Sequence, residues 1–197
     1  DMSILSEEAG FIDRKSEKIL IVDPIDGTKN GIRNIPLYSV SLAIGEKDLG
    51  DVTVGFVQNL VTKEYYYAEK GNGAYYNGKK MERMNVNDKP LACIHPESRD
   101  YTLLEMIGKK GFWNIRSLGA ASLEMCFVAT GSADLYLHSK RSLRVIDIAA
   151  SLLILREAGG ECYDFETKEK LNRKLDLKER FGLIAFFGDN HEILNSI

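Results

Sequence analysis

Ile19-Leu-Ile-Val-Asp-Pro-Ile-Asp-Gly-Thr28 is an apolar run that ends in two aspartates and a glycine. The run reads as a strand, and the carboxyl ends of strands are where α/β proteins tend to build their sites. Asp23 and Asp26 are hard oxygen donors of the kind that suits magnesium. Gly27 and Thr28 offer exposed amides at a turn, which suit phosphate. Asp-Gly between apolar runs is equally a hairpin signal, and Pro24 at a strand end needs no function to explain it. The stretch alone leaves both readings open.

Two other segments bear on it. Leu5-Ser-Glu-Glu-Ala9 carries a carboxylate pair, Glu7 and Glu8, upstream. Downstream, Leu143-Arg-Val-Ile-Asp-Ile-Ala-Ala150 places Asp147 where a strongly helical stretch opens. Each has an ordinary explanation. The helix dipole favours an acid in a first turn, and adjacent glutamates commonly form a solvated charge pair. The order Glu-Glu, Asp-Pro-Ile-Asp-Gly-Thr, Asp-Ile-Ala-Ala is a combination that chance rarely assembles.

With these motifs the chain resembles the inositol monophosphatase family of magnesium-dependent, lithium-sensitive phosphatases. It looks most like the archaeal branch, whose members act on inositol monophosphate and often on fructose 1,6-bisphosphate. The resemblance runs from Ile4 to the C-terminus. It takes in Arg116-Ser-Leu-Gly-Ala-Ala121, Val128-Ala-Thr-Gly-Ser-Ala-Asp134 and Glu157-Ala-Gly-Gly160. It implies an α+β fold, a layered alternating sandwich of helices and sheets of the sugar-phosphatase type. It also implies an N-terminal sub-domain over 1–90, a C-terminal one over 91–197, and a site between them. In the family, helical sequence precedes the glutamate pair. The chain is therefore expected to start inside a longer protein, beyond whose start lies an acidic residue that helps position the attacking water.

The resemblance implies a ligand set for two or three Mg2+ ions, with Mn2+ as a substitute and Li+ as an inhibitor. Asp23 would bridge two ions; Glu7 and the Ile25 carbonyl would complete the first site, Asp26 and Asp147 the second. The Ile25 side chain is simple packing. Gly27 and Thr28 would hold phosphate oxygens, glycine allowing a close backbone approach. The Thr28 hydroxyl either caps the following turn or orients the attacking water; Glu7 and Asp23 would serve catalysis through the first ion, which lowers that water's pKa. Glu8 falls in an outer shell or faces solvent. Gly119, Ala120 and Ala121, at a helix start, would meet the leaving alcohol together with Asp26 and Asp147.

Animal members carry a glutamate near His138-Ser-Lys-Arg-Ser-Leu-Arg144 and a tryptophan before the last aspartate; here the loop is basic and Ile146 precedes Asp147. Arg141, Lys140 and Arg144 are either acceptors of a second phosphate or a solvated basic loop. Arg116 either reaches the site or forms a structural ion pair. His95, His138 and His191 are scattered and receive no catalytic role. Trp113 and Tyr65–Tyr67 read as core or interface.

The rest of the chain bounds these expectations. Its 197 residues suffice for one domain or two small ones. A net charge of −3 gives no general attraction to nucleic acid or an anionic membrane. No apolar segment approaches the ~20 residues that span a bilayer, and no signal peptide is visible. Cys93, Cys126 and Cys162 are odd in number and widely spaced, so buried free thiols in a reducing cytoplasm are expected. The expected partner is a small phosphorylated substrate, with a homodimer implied by the family.

Strands are expected over 18–23, 37–45, 51–60 and 64–69, then a hairpin around Gly71-Asn-Gly-Ala-Tyr-Tyr-Asn-Gly78. After it, strands over 92–95, 114–118, 133–138, 161–165 and 183–187 alternate with helices over 101–110, 119–130, 147–158 and 191–197. The leading expectation is a phosphomonoesterase acting on inositol 1-phosphate, fructose 1,6-bisphosphate or both. The alternatives are a nucleotide phosphatase of the same superfamily, for adenosine 3′,5′-bisphosphate or NADP, and a regulatory binding protein on the same fold.

Overall fold

The computed structural model describes residues 1–86, 88–96, 101–188 and 191–196. The first half of the chain forms an eight-stranded sheet from β1 (Ser3–Ser6), β2 (Gly10–Ile12), β3 (Ile19–Asp26), β4 (Ser39–Gly45), β5 (Val54–Asn59), β6 (Tyr65–Glu69), β7 (Gly73–Tyr76) and β8 (Lys79–Lys80). The short helix α1 (Thr28–Ile32) follows β3. The spatial order is β2-β1-β3-β4-β5-β6-β7-β8, with only β1 and β3 parallel. The second half gives a five-stranded mixed sheet, order β10-β9-β11-β13-β12, from β9 (Leu91–His95), β10 (Asn114–Arg116), β11 (Leu135–Leu143), β12 (Gly160–Asp164) and β13 (Phe181–Phe187). Its helices are α2 (Tyr101–Lys109), α3 (Ala121–Thr130), α4 (Val145–Glu157) and α5 (His191–Ser196). Ile197, expected in the last helix, lies outside the described residues.

α3 and α4 are apolar on nearly every side, and such helices belong between layers. α4 lies on β3 to β7 and also touches β12, while α3 packs on α4 and reaches β11 and β13. The two helices are thus held between the sheets, and one core cluster runs through all three layers. α2 and α5 cover the far face of the smaller sheet, where Leu103, Ile107 and Leu194 meet Ala92, Leu137 and Phe186. Alternation on β4 and β5 buries Ser41, Ala43 and Val57 against the helices and leaves Leu42, Ile44 and Phe56 half-buried on the opposite face.

The helix layer sits close to the large sheet because Gly55 lets it. A Cβ at Gly55 would stand 2.6 Å from the Ala150 carbonyl oxygen, and backbone cannot step aside. Gly55→Ala should therefore cost about 2–3 kcal/mol in chemical denaturation, the upper range of overpacking. An unchanged denaturation midpoint would show that α4 has slack in its seat.

Trp113, read by its type as core or interface, is not in the core: it is 73% exposed and lies beside Gly108 just past the Gly111 turn. The basic segment 138–144 is not a loop: β11 continues through it to Leu143, with its register to β13 shifting between His138 and Leu143. The tyrosine cluster divides by strand alternation. Tyr66 is buried and pairs with Tyr76, while Tyr65 and Tyr67 turn to the other face. The three cysteines are buried and free, as expected.

A carboxylate-lined candidate active site

Asp23 and Asp26 are three apart, and in a regular strand an odd spacing puts side chains on opposite faces. Here β3 pairs with β4 as Asp23↔Ser41 and then Asp26↔Ser39, so a bulge absorbs one extra residue between them. Pro24 has no N–H to give a ladder and fits that irregularity. The bulge turns both aspartates inward, Asp23 to 2% and Asp26 to 9% exposure, and leaves Ile25 45% exposed. The Ile25 side chain is therefore not packed. Its carbonyl oxygen accepts the Thr28 hydroxyl at 2.9 Å, and the Asp23 carboxylate accepts the Ile25 N–H at 3.1 Å.

Gly27 ends the bulge in the left-handed region, φ 85°, and no hairpin forms; the residue caps α1 instead. A Cβ there would meet the Leu37 carbonyl, Ala120 and the Gly119 carbonyl at 3.1–3.3 Å. Thr28 makes no capping bond, its hydroxyl turning back to Ile25. The buried Asn30 amide donates to the Leu37 and Leu118 carbonyls at 2.8 and 2.7 Å, tying the segment before α3 to this turn.

Helix starts deliver the remaining acids and amides. Asp26 receives the Ser122 N–H at 2.8 Å, the Ser122 hydroxyl at 2.6 Å and the Ala121 N–H at 3.3 Å. It thereby satisfies two of the free amides at the start of α3. Asp147 lies in the first turn of α4 and accepts the Arg144 N–H at 2.8 Å. The Arg144 guanidinium bridges Asp147 at 3.0 Å and Glu7, just past β1, at 2.7 Å.

These groups line one open cleft of about 290 Å³, with Glu7, Asp23, Ile25, Asp26, Gly27, Thr28, Gly119, Ala121 and Asp147 in its walls. Burial chiefly, then the charges of Asp26, Asp147 and Glu7, pushes the Asp23 carboxyl up to about 7. Asp26 rises to about 6, mainly by burial and against the bonds from Ser122. Burial also raises Asp147, although Arg144 pulls the other way. Carboxyls raised chiefly by burial are ones whose negative charge is costly unless a cation joins them. Oxygen-only donors in that state fit a hard divalent cation. Among the described residues no three of these groups stand close enough together to hold an ion as they are, and Arg144 occupies the space between two of them.

Of the other expected residues, Ala120 is buried behind the cleft wall and Glu8 is exposed outside it. Arg141 is not brought in. It is exposed, pairs with Glu166 at 3.3 Å and lies by the Arg180 carbonyl, because its position on β11 faces away from the cleft. Lys140 is exposed as well, so Arg144 is the member of the basic segment that reaches the cleft. Arg116 is exposed and bonded to the Ile115 carbonyl.

Sequence reasoning passed over Lys29, His95, Tyr136, His138 and Ser142, all of which line the cleft. It also passed over Glu124, fully buried behind it. The signal available was the glutamate at position 124 in an otherwise apolar helix, Ala121-Ser-Leu-Glu-Met-Cys126, since a buried acid needs a partner.

The model of the family described as "Inositol monophosphatase family" matches residues 1–196, and the chain belongs to that family. A fructose-1,6-bisphosphatase/inositol-1-monophosphatase of Methanothermobacter thermautotrophicus is 35% identical over 198 residues, covering 93% of this chain and 70% of that one. A bifunctional NADP phosphatase/NAD kinase of Methanococcus maripaludis is 34% identical over 207 residues, covering 92% of this chain. The chain spans only 36% of that longer relative's length. A solved Pyrococcus horikoshii protein described as having similarities to inositol-1 monophosphatase superposes with a TM-score of 0.87 at 30% identity. It matches all of this chain and 77% of its own. The observed layers are those of this fold, and the family is generally magnesium-dependent.

Proposed function

From membership of the inositol monophosphatase family, we propose that the protein is a magnesium-dependent phosphomonoesterase acting on small phosphorylated alcohols, with inositol 1-phosphate and fructose 1,6-bisphosphate as its substrates. The observation that carries this is the inward-facing pair Asp23 and Asp26, buried beside Glu7 and Asp147 with their carboxyls pushed up. Glu7, Asp23 and the Ile25 carbonyl would hold one ion, and Asp23, Asp26 and Asp147 a second. When bound, such a pair supplies charge against the phosphate and lowers the pKa of the attacking water.

The chain's own residues do the rest. Amides at Gly27 and Thr28 hold phosphate oxygens where the first turn of α1 leaves N–H groups unused. The Thr28 hydroxyl, 2.9 Å from the Ile25 oxygen, orients the attacking water. Arg144, which bridges Glu7 and Asp147, would be free to meet the phosphate if cations took over those carboxylates, a bidentate match. Work as a cytoplasmic homodimer is part of the same proposal.

The 34% identical bifunctional relative makes NADP the second substrate to run. Phosphate release is measured with and without magnesium on inositol 1-phosphate, fructose 1,6-bisphosphate, NADP and adenosine 3′,5′-bisphosphate. Magnesium-dependent release from the first two supports the proposal, and preference for NADP replaces it with the nucleotide reading. A folded protein that binds magnesium and releases nothing favours a binding role.

Arg141→Ala should leave release from both sugar and inositol phosphates within about twofold, since the side chain is exposed, pairs with Glu166 and does not line the cleft. A selective loss on fructose 1,6-bisphosphate would mean that β11 swings Arg141 into the cleft when substrate binds.

A further inference from the structure

Glutamate is almost never fully buried unless it is paired, yet Glu124 on α3 has no exposed surface. Its carboxylate takes His95 Nε2 at 2.9 Å, the Leu118 N–H at 3.1 Å and the Ala120 N–H at 3.3 Å. Two amides and one imidazole thus account for a buried charge, and His95 is its only titratable partner among these contacts. The carboxylate places the ring proton on Nε2, because the bond made by one nitrogen sets the state of the other. The Gly119 N–H, 3.3 Å from the same atom, is the weaker approach.

Nδ1 is left on the other edge of the ring. Its hydrogen-bond contact among the described residues is the exposed Ser117 hydroxyl at 3.5 Å, the limit of such a bond. The ring itself is 24% exposed and lines the cleft. It is stacked on His138 at 5.2 Å between centroids and 24° between planes. Both His138 nitrogens are occupied, Nδ1 by the Tyr136 hydroxyl at 3.1 Å and Nε2 by Ser142 Oγ at 2.8 Å. His138 therefore works as a flat support, held neutral by burial first and by His95 and Lys140 next, its pKa pushed down to about 3.

The cleft lining carries the charged groups Glu7, Asp23, Asp26, Lys29, Arg144 and Asp147 together with the rings and hydroxyls of His95, Tyr136, His138 and Ser142. The segment that Glu124 secures packs on Gly27 and touches the His95 ring through the Gly119 N–H, which brings the imidazole near the turn proposed to hold the phosphate. A leaving alcohol on that phosphate shares the cleft with His95.

We infer that His95, held in place by the buried Glu124, recognises the hydroxyls of the leaving alcohol and selects polyhydroxylated cyclitol or sugar phosphates over esters lacking hydroxyls. Glu124 is then a positioning residue. The inference rests on the phosphatase reading of the same cleft.

The test compares wild type, His95→Ala, His95→Gln and Glu124→Gln on inositol 1-phosphate and on p-nitrophenyl phosphate, whose leaving group has no further hydroxyl. The expected result for His95→Ala is a KM for inositol 1-phosphate raised about tenfold, one hydrogen bond's worth. Its kcat and its rate on the aryl ester stay near wild type, and Glu124→Gln shows the same split. Equal losses on both esters in every folded variant, or no loss on either, overturn the inference. Calorimetric titration with inositol 1-phosphate under calcium needs no turnover and separates the two claims. A wild type that binds about tenfold more tightly than His95→Ala yet releases no phosphate overturns the phosphatase reading and upholds His95. Equal affinities overturn His95 whatever the turnover.

Discussion

Asp23→Asn should lower kcat for phosphate release by about 10³-fold or more at saturating magnesium, a barrier increase of roughly 4 kcal/mol. The reason is position. Asp23 is the carboxylate that feels Asp26, Asp147 and Glu7 together, so a cation shared among these groups loses its common ligand when this charge is removed. Asparagine keeps the volume, and its carbonyl can still accept the Ile25 N–H that Asp23 accepts at 3.1 Å. The fold should survive, with stability in chelator at neutral pH equal to wild type or higher because a repelling charge has gone. Near-normal turnover would remove Asp23 from the mechanism. Lost turnover together with lost cooperative unfolding would mean that the bulge in β3 needs the carboxylate to form.

The second large effect is a dependence of stability on pH that magnesium abolishes. The Asp23 carboxyl moves from 3.8 to about 7 on folding and Asp26 from 3.8 to about 6. A carboxyl raised in this way binds more protons folded than unfolded. Its contribution is complete below its unfolded pKa and is lost as pH rises through the folded one. In chelator, wild type should therefore lose stability between about pH 4 and pH 7, by an amount on the order of 4 kcal/mol from Asp23 at 1.36 kcal/mol per pKa unit. Asp23→Asn, followed by denaturation over the same range, should show a flatter profile, which isolates this group from the other titrating residues. Magnesium competes with protons for the same oxygens, so saturating magnesium should restore neutral-pH stability and flatten the wild-type curve. Parallel profiles for wild type and variant in chelator would show that the negative charge at Asp23 is already relieved in the folded chain.

Local pattern carried most of the architecture. Alternation over 37–45 and 51–60 corresponds to β4 and β5, the glycine-rich Gly71–Gly78 segment to the β6–β7 turn and the short β8, and Gly131 closes α3. Periodicity and turn residues act over a few neighbours, so they can be read without knowing what lies across the core. The same holds for Asp23, Asp26, Gly27 and Thr28, whose spacing is itself the signal, and for Asp147 in the first turn of α4.

What tertiary structure decided is whatever depends on partners distant in the chain. Asp23 and Asp26 share a face only because β4 forces a bulge opposite them. His95 and His138 appeared scattered, and they stack because β9 and β11 are parallel neighbours with the two residues in register. Glu124 has no meaning in its own helix and acquires one from His95, 29 residues away. Arg144 and Arg141 are equivalent in a charge pattern, yet the start of α4 turns one into the cleft while β11 turns the other toward Glu166. Residue type and spacing determine which elements form and which acids they carry. Which side chains face one another follows from register and packing between elements, and those exist only in the assembled fold.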